Sequence, residues 1–412
     1  MNINLITRLR NDYGITVAAC CLAYVTQSIA VNFAPLLFLT FNRIYGIPLS
    51  KITLLITLSF AVQLITDLFS AKFADILGSR SCMAVAHILT ALGYIGLGIF
   101  PEIFPSPFIG IVTACILYSC GCGLIEVIAT PIISSYSKSK NTCLLSLLQS
   151  FFCWGTVFVI ILSTVFFYLF NTENWQILSC IWAIIPAINV FLFLLVPLPS
   201  KNKNGKKDNV FLLVKNPLFW ILAIIMLCGG AAEHSISQWA SVFTESYLNI
   251  PKALGDILGP CVFATLMGAA RIVHAKINKK IDLTNYMFFC GILCTASFFM
   301  TAFIKIPPIS FIGFALCGFS CGVFWPGTFS LATEKFTATG TTLFALLAFA
   351  GDTGSTLGPS IVGFTASITG NNLSLGIIFS VIFPIIFTLC ISILYKKNKI
   401  TNAKHNIDKR HP

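Results

Sequence analysis

The sequence predicts an all-α membrane protein whose twelve transmembrane helices form two pseudo-symmetric six-helix bundles. Three observations carry that prediction: an apolar composition that no water-soluble fold could bury, twelve apolar stretches of spanning length, and charges that sort by side when those stretches alternate. Of 412 residues, 57% are hydrophobic and only 10% charged, and the mean hydropathy is +0.89. Such a chain needs lipid as well as its own interior to cover its apolar surface.

The apolar stretches cover residues 14–40, 51–73, 81–101, 108–135, 143–170, 175–197, 217–247, 254–277, 284–304, 309–334, 340–368 and 374–395. Each is long enough as a helix to cross a hydrocarbon core of about 30 Å. Arg8 and Arg10 precede the first, which is too long for a signal-peptide core and lacks a clean cleavage site, so it reads as a retained helix. The fourth contains Gly121–Pro131 and one carboxylate, Glu126, on a face of small residues (Gly123, Ala129, Thr130); Pro131 is expected to end or bend this helix. Residues 198–216 are the one composition shift. They form a basic linker between an N-terminal bundle, 1–197, and a C-terminal bundle, 217–395. The eleventh stretch is glycine-rich around Asp352, which suits close helix approach. The basic tail 396–412 is expected to be disordered.

With both termini placed in the cytoplasm, 21 of the 26 Lys and Arg fall on the inner side. Only Arg43, Lys51, Lys252 and Lys305 fall outside, and Arg271 lies within a helix. This satisfies the positive-inside rule and supports an even number of spans. The net charge of +12 is thereby topological, and a nucleic-acid surface is excluded. The sixteen cysteines include no CxxC pair, so buried free thiols are expected, with no disulfide, zinc or other cofactor.

The halves repeat faintly. Ser70–Phe73 aligns with His274–Ile277, which places Asp67 opposite Arg271, and Leu147–Gly155 aligns with Leu346–Gly354. The fourth and tenth helices both carry a Cys-Gly step followed by proline (Pro131, Pro326). A duplicated six-plus-six arrangement points to a transporter with its site between the halves.

The loop Ala71–Arg80 (Ala-Lys-Phe-Ala-Asp-Ile-Leu-Gly-Ser-Arg) resembles the signature loop of the major facilitator superfamily, with Asp75, Gly78 and Arg80 matching. Gly78 permits the tight turn. The pattern from Gly121 to Pro131, followed by Leu147–Phe151, resembles the fourth and fifth helices of the fucose/sugar–proton symporter branch. Gly230, Glu233 and Trp239 on the seventh helix and Trp325–Ser330 on the tenth are similar to it too. The chain departs from that branch at Thr130, where an asparagine is usual, and at Gln27–Pro35, which holds no acid. The resemblance also extends to uncharacterised bacterial members, which implies a multi-pass protein of the bacterial cytoplasmic membrane, and a monomer. It gives Glu126 a part in proton coupling.

A lipid interior disfavours anions, so acids within the spans are candidate proton carriers. Glu126 and Glu233 are assigned to proton coupling, with Ser237 the same-face partner of Glu233. Gln27, Asn32, Gln149, Trp154, Gln238, Trp239, Trp325 and Asp352 are candidate substrate contacts, because amides and aromatic faces suit polar solutes. Asp67, Asp75, Arg80 and Arg271 are assigned to gating, with Asp67 and Arg271 as candidate interbundle ion-pair residues. Arg271 also suits an anionic substrate.

The expected function is secondary transport of a small polar solute, a sugar or organic metabolite, by alternating access, with protons and membrane lipid as the other partners. The alternative is a drug or metabolite–proton antiporter, but the fifth helix has no proline and the fourth no arginine. An intramembrane enzyme is the remote alternative, since no HExxH motif is present.

Overall fold

A computed structural model of the chain describes residues 12–134, 141–198, 210–277, 282–304, 306–336 and 341–408. Its spans are α1 (Tyr13–Leu36), α2 (Leu49–Ser70), α3 (Ile76–Ile103), α4 (Pro107–Thr130), α5 (Leu148–Phe170), α6 (Thr172–Leu195), α7 (Pro217–Tyr247), α8 (Lys252–His274), α9 (Leu283–Phe303), α10 (Pro307–Lys335), α11 (Thr341–Ile368) and α12 (Leu373–Tyr395). All but α11 are long and apolar enough to cross a membrane by composition alone. In α11 the run Gly351–Ser355 dilutes the apolar content. Its 28 residues still reach about 42 Å at the helical rise. That helix is therefore suited to a bilayer only when neighbours shield it.

The two halves pack alike. In the first, α1 touches α4, α5 and α6; in the second, α7 touches α10, α11 and α12, six helices further on. The halves meet where α2 lies against α11 and α5 against α8. The duplication also shows in the backbone. Helix α6 breaks at Ala183, three residues before Pro186, and α12 breaks at Val381, three before Pro384. Each proline lacks an N–H and its ring crowds the carbonyl four residues back, at Trp182 and Ser380. The offset is 198 residues in both pairs (183 to 381, 186 to 384).

Close approach of α7 to α11 depends on glycine. A Cβ added at Gly354 would lie 1.9 Å from the Leu227 carbonyl oxygen, and one at Gly358 2.3 Å from that of Ala231. The turn between α2 and α3 is at Gly78, with φ 80° and ψ 151°, a conformation essentially reserved for glycine.

The helix containing α4 runs past Pro131 to Ser134. One local expectation is corrected. The helix containing α12 continues to Asp408 instead of fraying after Tyr395, since residues 396–408 hold no glycine or proline to stop it.

Candidate functional site

Glu126 lies within α4 with its side chain directed at α1 and α2. Gln27 of α1 donates its Nε2–H to Glu126 Oε2 at 2.6 Å, and Gln63 of α2 donates to the same oxygen at 2.7 Å. Oε1 receives no hydrogen bond among the described residues. Although deep in the first half, Glu126 is only half-buried. One turn away, Cys122 joins Gln63 in lining a cavity of about 30 Å³. The wall is mostly apolar (Leu55, Ile56, Phe38 and Phe60 among others), with Ser59, Ser119, Tyr118 and Gln238 as its other polar groups. Gly123 allows α2 to come this close: a Cβ there would lie 2.7 Å from Asp67 Oδ1 and 2.8 Å from the Gln63 carbonyl oxygen.

Asp67 and Asp352 meet across the α2–α11 contact. Their carboxyl groups lie within hydrogen-bonding reach of each other, yet no donor reaches either Asp67 oxygen. Two carboxylates can only accept; a bond between them needs a proton on one. The charge of Glu126 acts on both. Asp67 and Arg271, aligned by the repeat, do not pair with each other among the described residues. Internal symmetry makes α2 the counterpart of α8, but α2 packs against α11 and α8 against α5. Arg271 is buried and donates Nη1–H to the Gln149 carbonyl oxygen at 2.7 Å, while its Nε has no partner.

Glu233 is buried with Oε2 unpartnered, and no bond to Ser237 is found among the described residues. The neighbouring His234 faces another way, its ring edge-on to Phe60 of α2 at 5.0 Å. The remaining candidates divide by surroundings. Gln27 serves Glu126 directly. Asn32 is tied to α5 through Thr156 Oγ1 at 3.1 Å and to Ser28 O at 2.9 Å, which makes it a packing group. Gln238 bridges the halves, donating to the Val31 carbonyl oxygen at 3.1 Å; Pro35, four residues on, lacks the N–H that would otherwise take that carbonyl. Trp239 is fully buried and donates to the Pro359 carbonyl oxygen at 2.9 Å, as a core tryptophan does. Trp154 lies over Gly268 of α8 with 43% of its surface exposed, at the α5–α8 contact instead of inside the cavity. Trp325 is half-buried against Gly351, beside Asp352.

Arg80 caps α6, its guanidinium donating to the carbonyl oxygens of Phe193, Leu194 and Val196 at 2.7–2.8 Å. It satisfies the end of a helix within its own half. The Asp75 side chain lies outside the described residues.

At the end of the bundle opposite the basic loops, sequence reasoning passed over a network. Lys252 pairs with Asp256 at 3.0 Å, reaches the Leu36 carbonyl oxygen at 2.5 Å and sits 5.9 Å from the Phe167 ring. Ser241 donates to Asp256 Oδ1 at 2.5 Å. Leu36 ends α1, so its carbonyl is one the helix leaves free. Arg43 pairs with Glu245, and Thr57 and Ser360 hydroxyls bond at 2.5 Å. Asp256 and Glu245 lie at the margins of apolar runs, where a charge draws no notice; the i,i+4 spacing of Lys252 and Asp256 was the available signal.

A family profile described as Major Facilitator Superfamily matches residues 16–359. The curated membrane protein MosC of Rhizobium meliloti is 24% identical over 184 residues, 44% of this chain and 43% of that protein. The chain therefore aligns with less than half the length of that relative. Among solved structures, a bacterial homolog of the human lysosomal transporter Spinster, crystallised in an inward-facing and occupied conformation, matches with a TM-score of 0.70 at 12% identity, over 92% of this chain and 96% of that one. With twelve helices in two matching halves and a profile spanning most of its length, this chain belongs to the Major Facilitator Superfamily of membrane transporters.

Proposed function

We propose that the chain is a proton-coupled secondary transporter of a small polar solute, a sugar or organic acid, working by alternating access. The observation that carries this reading is Glu126, a half-buried carboxyl group within a span whose one oxygen is held by two amides while the other receives no hydrogen bond among the described residues. The anion is tolerated because Gln27 and Gln63 donate to Oε2. A proton arriving at Oε1 leaves both bonds in place and turns Oε1 into a donor. The same group thus accepts a proton and, having done so, offers a new hydrogen bond toward solute.

The charge pattern supports placing the basic end in the cytoplasm. On that orientation the Lys252 and Arg43 pairs close the outer side, and the Asp67–Asp352 contact lies toward the inner side. Loss of the proton between the two aspartates makes them repel, which favours opening inward. Arg271, buried with an unpartnered Nε, favours an organic acid over a neutral sugar, since a guanidinium fork suits a carboxylate. The resemblance to the sugar-symporter branch favours the sugar. Efflux of an amphipathic solute is the second reading, and the apolar cavity wall favours it.

The test is uptake into proteoliposomes across a panel of sugars, organic acids and nucleosides, with and without a pH gradient. Accumulation of one class that follows the gradient is expected. If a transported solute ignores the gradient, proton coupling is wrong.

A further inference from the structure

Three thiols converge inside the second half, away from the contacts between halves. Cys294 is on α9; Cys317 and Cys321 are one turn apart on α10, so both project from one face. Their sulfurs form a near-equilateral triangle, 3.9 Å from Cys294 to each of the others and 4.0 Å between Cys317 and Cys321. All three are fully buried. Among the described residues, this is the one place where three His, Cys, Asp or Glu ligand atoms come together. The other twelve described cysteines pack singly or in pairs.

A point equidistant from three sulfurs so spaced lies about 2.3 Å from each, which is the length of a metal–thiolate bond. An ion there would sit in the plane of its ligands. Zinc takes a fourth ligand to complete a tetrahedron, and no fourth His, Cys, Asp or Glu joins the group. Soft sulfur ligands in a trigonal set select a soft monovalent ion. Charge points the same way. One thiolate, whose proton leaves as its sulfur–metal bond forms, balances a monovalent ion; a divalent ion needs two. In a lipid-shielded interior the lower charge is the cheaper state.

We infer that Cys294, Cys317 and Cys321 bind one Cu(I) ion, which staples α9 to α10. The site is structural, and it stands independently of the transport reading. The test uses the full-length protein in detergent under reducing conditions, titrated with Cu(I) against a competing Cu(I) chelator. One tightly held equivalent is expected in the wild type and in Cys390→Ser, whose thiol lies outside the triangle, and its loss in Cys294→Ser. Bound Cu(I) is expected to raise the thermal midpoint of the wild type and not that of Cys294→Ser. X-ray absorption on the loaded wild type needs no variant, and should show three sulfur neighbours at about 2.3 Å. Equal binding by wild type and Cys294→Ser, or fewer than three sulfurs around the metal, would overturn the assignment and leave the thiols as packing groups.

Discussion

The two ends of the seam between the halves are built from opposite chemistry. At the far end, cations meet acids and carbonyls: Lys252 with Asp256 and the Leu36 carbonyl, Arg43 with Glu245. At the basic end, a carboxyl group meets a carboxyl group, Asp67 with Asp352. The first kind of contact holds at any ordinary pH. The second holds only with a proton present. A transporter that rocks between two openings needs one closure that responds to its driving ion, and the proposed function assigns that role to the aspartate end.

The largest expected effect is at the far end. Lys252→Ala leaves Asp256 buried without its cation, and breaking such a pair costs about 3 kcal/mol or more. Amide exchange across residues 36–45 and 241–250 should accelerate by two orders of magnitude or so, since each 1.4 kcal/mol is about tenfold. Unchanged exchange there would show that Lys252 is a surface lysine and not a closure.

Next comes Asp352→Asn. The amide donates to Asp67 without a shared proton, so the basic end should stay closed at a pH where the wild type opens. In the wild type, falling pH supplies the shared proton and closes this end; rising pH removes it. After correction for intrinsic rates, amide exchange in α2 and α11 should rise with pH in the wild type and stay flat in Asp352→Asn. Equal pH dependence in both would remove the aspartate pair from gating.

Arg80→Ala tests a contact away from the seam. Losing the cap on α6 should lower stability by about 2 kcal/mol, in line with hydrogen bonds from a charged group, without altering the pH response of either end. The smallest effect belongs to Arg43→Ala. Arg43 is largely exposed, and exposed pairs are worth about 1 kcal/mol or less. A thermal midpoint within a degree or two of wild type is expected, in contrast to Lys252→Ala.

Much of the architecture was legible in the residues because the bilayer imposes it. Span length, loop charge and the glycine at position 78 each follow from one strong constraint. Glu126 stood out because a charge in an apolar run needs a reason. Gln63 did not, since a neutral amide in a helix is unremarkable until its partner is known. The alignment of Asp67 with Arg271 does not bring the two together, for an instructive cause. Aligning the halves shows which helices are equivalent, α2 with α8, whereas contact across the seam joins α2 with α11 and α5 with α8. Sequence repetition reports symmetry, and symmetry mates on a two-fold need not touch. The same limit hid the thiol triangle: the spacing of Cys317 and Cys321 was visible, but Cys294 arrives only through the packing of α9 on α10.

The central claim is that Glu126 carries the coupled proton. Its most direct test is solute-driven proton movement in proteoliposomes holding a pH-sensitive dye, comparing wild type with Glu126→Gln. The account predicts proton uptake with solute in the wild type, and in the variant none, with solute exchange between the two sides retained because a neutral amide keeps the site's shape. Proton movement of wild-type size in Glu126→Gln would contradict it, and would reduce Glu126 to a hydrogen-bonding residue between α1, α2 and α4.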